Sequence, residues 1–342
     1  MDIFIVATMS NSAEKLPSET SAASNHNAAA VLALICRAAA DSLRLQVLRI
    51  LKAESFGVLE LCQILDLAQP KLSHHLKVLA TANLVATRRE GNSIFYRRPL
   101  LDLDAPLTDF TQELFKTLDS EPLSSDVIHR ISHIKAERSR LSLDFFAKNA
   151  GKFNEMQELI TENSEYVVQT KELIDMTGLA NTATVIEIGP GEGHYLPTLA
   201  QRFAKVVAID NSAAMLAVAQ QQAAAQQLDN IDFILGEPDQ AIRNNVQGDL
   251  VVCHMVLHHT PSPAVIFEQS AELLRASGYL LVAELCHHNQ DWVKGSCGDL
   301  WLGFEPEELK DWALKANLTP LQDLFLGLRN GFQIQLHLFQ KL

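Results

Sequence analysis

The sequence predicts a two-part chain: a small, basic, mostly helical domain closed by a β-hairpin, then a larger α/β domain built on a parallel sheet. Three observations carry this. Residues 185–193 read V-I-E-I-G-P-G-E-G, a β-branched run that ends in an acid and opens into three alternate glycines. From residue 184 onward strand-like apolar runs alternate with helical stretches, the pattern of a parallel sheet with right-handed crossovers. Charge is also segregated: residues 28–98 hold ten Lys/Arg against five acids, which leaves −18 on the remainder of a chain of net charge −13.

The length, 342 residues, suits two domains rather than one. A hydrophobic fraction of 47% is ample for packed cores. No apolar run approaches the roughly 18 residues of a membrane span. The start, M-D-I-F-I-V-A-T-M-S, makes a poor secretory signal, and Met9 is an alternative start that the mass of the native N-terminus would test. Five cysteines without C-x-x-C spacing suit a reducing cytoplasm better than a disulfide framework.

Residues 1–27, rich in Ser, Asn, Ala and Glu without apolar periodicity, are expected to form a disordered tail. From Ala28 a helical pattern begins. Leu43, Leu45, Val47, Leu48, Ile50 and Leu51 trace a broad apolar helix face. Phe56-Gly57 interrupts it, a short helix follows over 58–65, and Asp66 to Pro70 turns the chain. Pro70 suits the first turn of the next helix, which runs to Thr81 and stops near Asn83. Residues 84–97 then read as two strands around Glu90-Gly91-Asn92, with Gly-Asn at the tip of a hairpin. Two helices joined by a short turn and followed by a basic hairpin make a winged helix-turn-helix.

The residues also carry a family likeness. Residues 41–48 (D-S-L-R-L-Q-V-L), 69–79 (Q-P-K-L-S-H-H-L-K-V-L) and the hairpin from Leu84-Val85 to Phe95-Tyr96 resemble, in order, the first helix, recognition helix and wing of the ArsR/SmtB repressors. The likeness implies a DNA-binding domain over 28–100. Its major-groove face would be Gln69, Lys71, Ser73, His74 and Lys77, with Leu72, Leu76 and Leu79 packed inward. Arg88, Arg89 and Asn92 on the wing would meet the minor groove or its phosphates. It also implies a homodimer on an inverted-repeat operator of double-stranded DNA, with a dimerisation and linker region over 101–176. Residues 126–176 read as further helix, with Lys135, Arg138 and Arg140 outside and Leu141, Leu143, Phe145 and Phe146 partly inside. The family's metal motif, E-L-C-x-C, survives only as Glu60-Leu61-Cys62-Gln63-Ile64, so metal sensing there is not expected.

In the second part, over 177–342, strands are expected at 184–188, 205–209, 231–235, 249–256 and 279–284, with a helix over 212–227. Residues 321–326 and 332–339 read as a closing hairpin. Ligands of open α/β sheets sit outside the carboxyl ends of the strands. The glycine loop departs from the G-x-G-x-x-G of dinucleotide folds: its third glycine, Gly193, comes one position early. An acid, Glu187, two residues before Gly189 suits a cationic amino group rather than a pyrophosphate. Asp210, 19 residues beyond Gly191, can accept from two ribose hydroxyls, the bland alternative being a helix cap.

These residues resemble the first motifs of class I S-adenosylmethionine (SAM)-dependent methyltransferases. That likeness implies a Rossmann-like seven-stranded sheet with a C-terminal antiparallel hairpin, and SAM or S-adenosylhomocysteine (SAH) as cofactor. Glu187, Gly189, Gly191, Gly193 and Asp210 would hold it, with Glu237 at the adenine edge and His254 near the sulfonium or the adenine. No catalytic residue is singled out; His258, His259, His288 and Asp299 are all candidate bases. Residues 288–304 could form a lid or acceptor wall, or simply pack. Cys253, His254, His258, His259, Cys286, His287 and His288 fall near neighbouring strand ends. They are read as polar lining rather than a metal site, because no motif fixes a ligand geometry.

The resulting expectation is a cytoplasmic, DNA-binding transcription regulator of the ArsR type, whose second domain senses SAM or SAH. Fusions that resemble it are associated with methyl-cycle control. The alternative is an active small-molecule methyltransferase with an autoregulatory DNA-binding domain. A metalloregulator ranks third because of Ile64.

Overall fold

The computed structural model describes residues 21–342 apart from 103, 162 and 163. The tail expected over 1–27 lies outside the described residues as far as residue 20, and helix α1 (Ser21–Ala39) starts seven residues before the expected Ala28. The chain divides into two compact units, one ending at Lys135 and the other running from Ala136, so the division falls within a helix.

In the first unit, α1 is followed by α2 (Ser42–Ile50), β1 (Phe56–Gly57), α3 (Val58–Leu65), α4 (Gln69–Thr81), β2 (Ala86–Glu90) and β3 (Ser93–Arg97). Asp41 caps α2, its Oδ1 accepting from Arg44 N at 3.0 Å. Pro70 sits in the first turn of α4, where its missing N–H costs nothing. The helix ends before Asn83, which takes the left-handed conformation at φ 53° that turns the chain into the hairpin. The strand order is β1-β3-β2, all antiparallel. Leu72, Leu76 and Leu79 are fully buried against Val47, Leu48, Phe56, Leu61 and Ile64. Then α5 (Thr108–Asp119) packs on α2. Arg98 fixes this junction: its guanidinium donates to both carboxylate oxygens of Asp119, at 3.1 and 2.7 Å, and to Leu48 O at 2.8 Å.

The single helix expected over 126–176 is three: α6 (Ser125–Asn149), α7 (Phe153–Gln157) and α8 (Ser164–Met176). Gly151, at φ 84°, breaks it, a backbone state that favours glycine. Two positions differ from their expected faces. Arg138 is buried: its guanidinium lies 5.0 Å over the Trp301 ring and donates to Pro261 O. Leu141 is 58% exposed. A charged group whose long apolar stem packs can be internal when its head finds an aromatic face and a carbonyl.

The second unit is a seven-stranded sheet in the order β6-β5-β4-β7-β8-β10-β9. Its strands are β4 (Thr184–Ile188), β5 (Lys205–Asp210), β6 (Ile231–Leu235), β7 (Gly248–His254), β8 (Leu274–Leu285), β9 (Leu318–Gly327) and β10 (Gln333–Lys341). The first five are parallel, and β10 runs antiparallel between β8 and β9. Connecting helices are α9 (Leu196–Arg202), α10 (Ala213–Ala225), α11 (Pro238–Arg243), α12 (Pro263–Leu273), α13 (Trp292–Ser296) and α14 (Pro306–Lys315). Strands β4 and β7 are neighbours whose connections leave in opposite directions. A crevice therefore opens outside their carboxyl ends, where ligands of such sheets bind. Among the described residues no helix is long and apolar enough to cross a membrane.

Candidate functional site

The glycine loop leaves β4 and returns to α9 with all three glycines in left-handed backbone, at φ 67°, 57° and 85°. Their surroundings differ. A Cβ on Gly189 would stand 2.3 Å from Val256 Cγ2, and one on Gly193 would stand 3.0 Å from Ala219 Cβ. Among the described residues, a Cβ on Gly191 would meet only Met215 Cε, at 3.9 Å. The first and third glycines thus let the loop pack on the protein, while the middle one faces open space.

That space belongs to a pocket open to solvent. Glu187, Gly189, Gly191, Asp210, Glu237 and His254 all line it; Gly193 does not, and acts one step behind, against α10. Glu187 is buried, and its Oε2 lacks a hydrogen-bond partner among the described residues. Its Oε1 is 3.5 Å from His254 Nδ1, in contact but not aligned for a hydrogen bond. Both ring nitrogens of His254 and the Tyr195 hydroxyl are likewise buried without partners among the described residues. The Tyr195 ring meets His254 edge-on at 4.2 Å, and Tyr166 lies 5.9 Å away. Burial and the Glu187 charge push both tyrosine hydroxyls up, so they stay protonated donors.

Asp210 sits at the end of β5. Its Oδ1 accepts from Ser212 N at 2.8 Å and its Oδ2 from Gly191 N at 3.3 Å, which ties the second loop to the first. The cap of α10 is Ser212, not Asp210. Each carboxylate oxygen retains a lone pair for a ligand. Burial raises the Asp210 carboxyl to about 6, against the pull of those two N–H groups, and the Glu237 and Glu187 charges add to the rise. Glu237 is exposed at the pocket rim and accepts from Asn211 Nδ2 at 2.7 Å.

Several pocket residues were not singled out as site residues in the sequence. Glu192, inside the glycine loop, accepts from the backbone N–H groups of Gly151 and Phe153, both at 2.9 Å. It pins the segment after α6 over the crevice; that segment brings Phe153 to the wall, and the last turns of α6 bring Phe146. His259 stands edge-on to both rings, at 5.0 and 5.7 Å. Glu192, inside the motif, and Tyr195, two residues after it, lay where the motif could have pointed to them.

The cysteine and histidine cluster is dispersed. His287 faces Leu302 O and His288 packs on Phe332. Cys253 and Cys286 are buried, which pushes their thiols up. His258 lies against Glu284, Nδ1 to Oε1 at 2.5 Å. Burial lowers the His258 pKa, but Glu284 and then Asp299 outweigh it and raise the ring to about 9. His259 moves the other way: burial, then the neighbouring His258 charge, hold it well below the usual range, so it is a neutral imidazole.

In the first unit, Gln69, Lys71, Ser73, His74 and Lys77 are all exposed along one side of α4, and Arg89 and Asn92 are exposed on the hairpin. Arg88 departs from expectation. Strand alternation puts it on the inner face with Glu90, and its Nε lies 2.7 Å from that buried carboxylate. A buried Glu90 needs the ion pair, so Arg88 serves the hairpin rather than a groove. On α3, Glu60 Oε2 accepts from Gly57 N at 2.7 Å, capping the helix. Burial raises the thiol of the half-buried Cys62 on the same helix.

Comparison with known proteins agrees with these two architectures. Residues 41–87 match the model for bacterial regulatory proteins of the ArsR family, and residues 179–319 match a methyltransferase domain. The chain therefore joins an ArsR-type DNA-binding regulatory domain to a methyltransferase domain. The arsenical resistance operon repressor of Staphylococcus aureus is 36% identical over 66 residues, 19% of this chain and 64% of that protein. A ubiquinone biosynthesis O-methyltransferase of Serratia proteamaculans is 27% identical over 116 residues, 34% of this chain and 48% of that one. The chain thus spans less than two-thirds of each of these relatives. Among solved structures, a magnesium protoporphyrin IX methyltransferase from Synechocystis PCC 6803 with bound SAM superposes with a TM-score of 0.48 at 16% identity, over 60% of this chain and 97% of that one.

Proposed function

We propose that this chain is a cytoplasmic transcription regulator that binds an inverted-repeat operator as a homodimer and senses SAM or SAH through its methyltransferase unit. The observation that carries the reading is the crevice. A glycine is left open toward it, and beside it Glu187, His254 and Tyr195 hold buried polar atoms with no partner among the described residues. A pocket with polar groups left unmatched is built for a ligand that matches them. The ligand's ammonium would meet Glu187, its ribose hydroxyls would donate to Asp210, and its adenine edge would meet Glu237. His254 and Tyr195 would flank the methionine end. When bound, SAM supplies an electrophilic methyl on a sulfonium; SAH has lost both that methyl and the charge.

Sensing needs only that one DNA-binding arrangement takes the ligand more tightly than the other, and the coupling is reciprocal. The test is fluorescence anisotropy of the full chain on its own upstream DNA, titrated with SAM and with SAH. A shift of at least about fivefold in operator affinity with one form is expected. Equal affinity with both and with neither would refute sensing.

A second reading is favoured by the likeness to O-methyltransferases and by His259. In it, the unit methylates a small molecule. Methyl transfer is an in-line displacement in which alignment supplies much of the rate, and a neutral imidazole in the pocket wall can take the acceptor's proton. Production of SAH from SAM in the presence of acceptor would show turnover; sensing alone produces none.

A further inference from the structure

We propose that His258, His259 and Asp299 form a site for a divalent first-row transition-metal ion in the methyltransferase unit. This inference does not rest on the cofactor reading. One donor atom from each residue lies within 4.8 Å of the others, and they are the one such His, Cys, Asp and Glu grouping among the described residues. His259 Nδ1 is 3.9 Å from Asp299 Oδ1, and the two imidazole rings are centred 4.1 Å apart.

The backbone holds the donors together. His258 and His259 lie on a 3-10 turn (Leu257–His259) directly after β7. Asp299 comes from the loop after α13, and that loop is tied to the turn by Leu300 N and Trp301 N, both donating to His258 O, at 2.9 and 3.2 Å. The three residues are 1%, 8% and 4% exposed. His258 Nδ1 meets Glu284 and His259 Nδ1 lies 3.3 Å from Gly298 O, so the turn and the loop hold both rings in fixed positions beside Asp299.

Glu284 supplies the second argument. Fully buried, it takes His258 Nδ1 with one oxygen, and its carboxylate also accepts from the backbone N–H of His258 at 3.2 Å and of Leu285 at 2.7 Å. A carboxylate so fixed sets the orientation of the ring and leaves Nε2 for an ion, the arrangement seen behind metal-bound histidines. Two imidazoles and a carboxylate are borderline-to-hard donors, the set of three-ligand zinc sites that keep a position for water. A tetrahedral ion with bonds of about 2.0–2.1 Å needs donors closer than 4.8 Å, so the side chains would draw in by about 1 Å, and a proton leaves as the ion enters. The cysteines near the strand ends take no part. His259 also lines the pocket, so the ion and the pocket's ligand would share a wall.

The test uses the full chain, stripped with a chelator and dialysed, then titrated with Co2+ and Zn2+ against a chromophoric competitor. We expect one tight equivalent per chain, Co2+ absorption bands without thiolate-to-metal charge transfer, and a rise in melting temperature with Zn2+. Asp299→Asn and His259→Ala should each weaken that equivalent at least about 100-fold, and Cys62→Ser should leave it unchanged. Where either variant fails to fold, Glu284→Gln decides: it keeps the ligands and should cost about 10–100-fold. No tight equivalent in the wild type, a thiolate band, or an affinity indifferent to the folded variants would overturn the site.

Discussion

The glycine loop makes a prediction that separates packing from ligand contact. Alanine at Gly189 would place its Cβ 2.3 Å from Val256 Cγ2 in a backbone at φ 67°. The left-handed conformation costs about 1–2 kcal/mol for a residue with a Cβ, and overpacking adds about 1–3 kcal/mol. Gly189→Ala should therefore destabilise the methyltransferase unit by about 2–5 kcal/mol. Alanine at Gly191 meets nothing closer than 3.9 Å among the described residues, so only the backbone cost of about 1–2 kcal/mol applies. At about 2–4 °C per kcal/mol for a unit of this size, calorimetry should show a drop of roughly 2–8 °C for Gly191→Ala and more for Gly189→Ala. In the proposed complex the ranking inverts. The Gly191 methyl points where the ligand would lie, and a clash of about 1–3 kcal/mol weakens SAH binding by roughly 5–150-fold. A folded Gly191→Ala protein that binds SAH like the wild type would refute the placement of the ligand on this loop. A Gly189→Ala protein no less stable than Gly191→Ala would refute the packing argument.

Other consequences follow from single interactions. Because burial raises Asp210 to about 6 and ribose hydroxyls would donate to its ionised form, SAH affinity should fall as pH drops through about 6, by up to tenfold per pH unit; titration calorimetry from pH 5 to 8 checks this, and a flat profile argues against Asp210 as the ribose ligand. The groups facing it, Glu187 and Glu237 with the Gly191 and Ser212 amides, are unchanged in Asp210→Asn, which should flatten the profile. Lys77→Ala and Arg89→Ala should weaken DNA binding and reduce its salt slope by about 0.9 for each phosphate left without a cation, as read from anisotropy between 50 and 200 mM salt; an unchanged slope in both would move the DNA to another face. Arg88→Ala should instead act on stability, by about 3–5 kcal/mol for a buried carboxylate stripped of its partner, and a wild-type denaturation midpoint would contradict the inward placement.

The parts of this molecule written in short-range pattern were legible in its sequence. Alternate glycines after a β-branched run, Pro70 in a first turn and Gly91-Asn92 at a hairpin tip each impose local backbone geometry, and those elements stand where their residues imply. The same holds for the inward leucines of α4, whose spacing alone fixes a face. What escaped was long-range. Arg88 looked like a DNA contact until the strand register set it beside Glu90. Arg138 looked like a surface charge until Trp301 and Pro261, more than 120 residues away, received it. Glu192 reads as a filler between glycines, and only the folded chain brings the amides of Gly151 and Phe153 to its carboxylate. Likewise the His258–His259–Asp299 grouping joins residues up to 41 positions apart and has no sequence spacing to announce it.

The account turns on whether the crevice beside Glu187 and Asp210 takes an adenosyl ligand. Titration calorimetry of the full chain with SAH, followed by displacement with SAM, measures this directly. One molecule of either per chain, competing for one site, with binding reduced at least about fivefold in the Gly191→Ala protein, is the predicted result. A folded wild-type chain that gives no heat with SAH and no heat with SAM would contradict it.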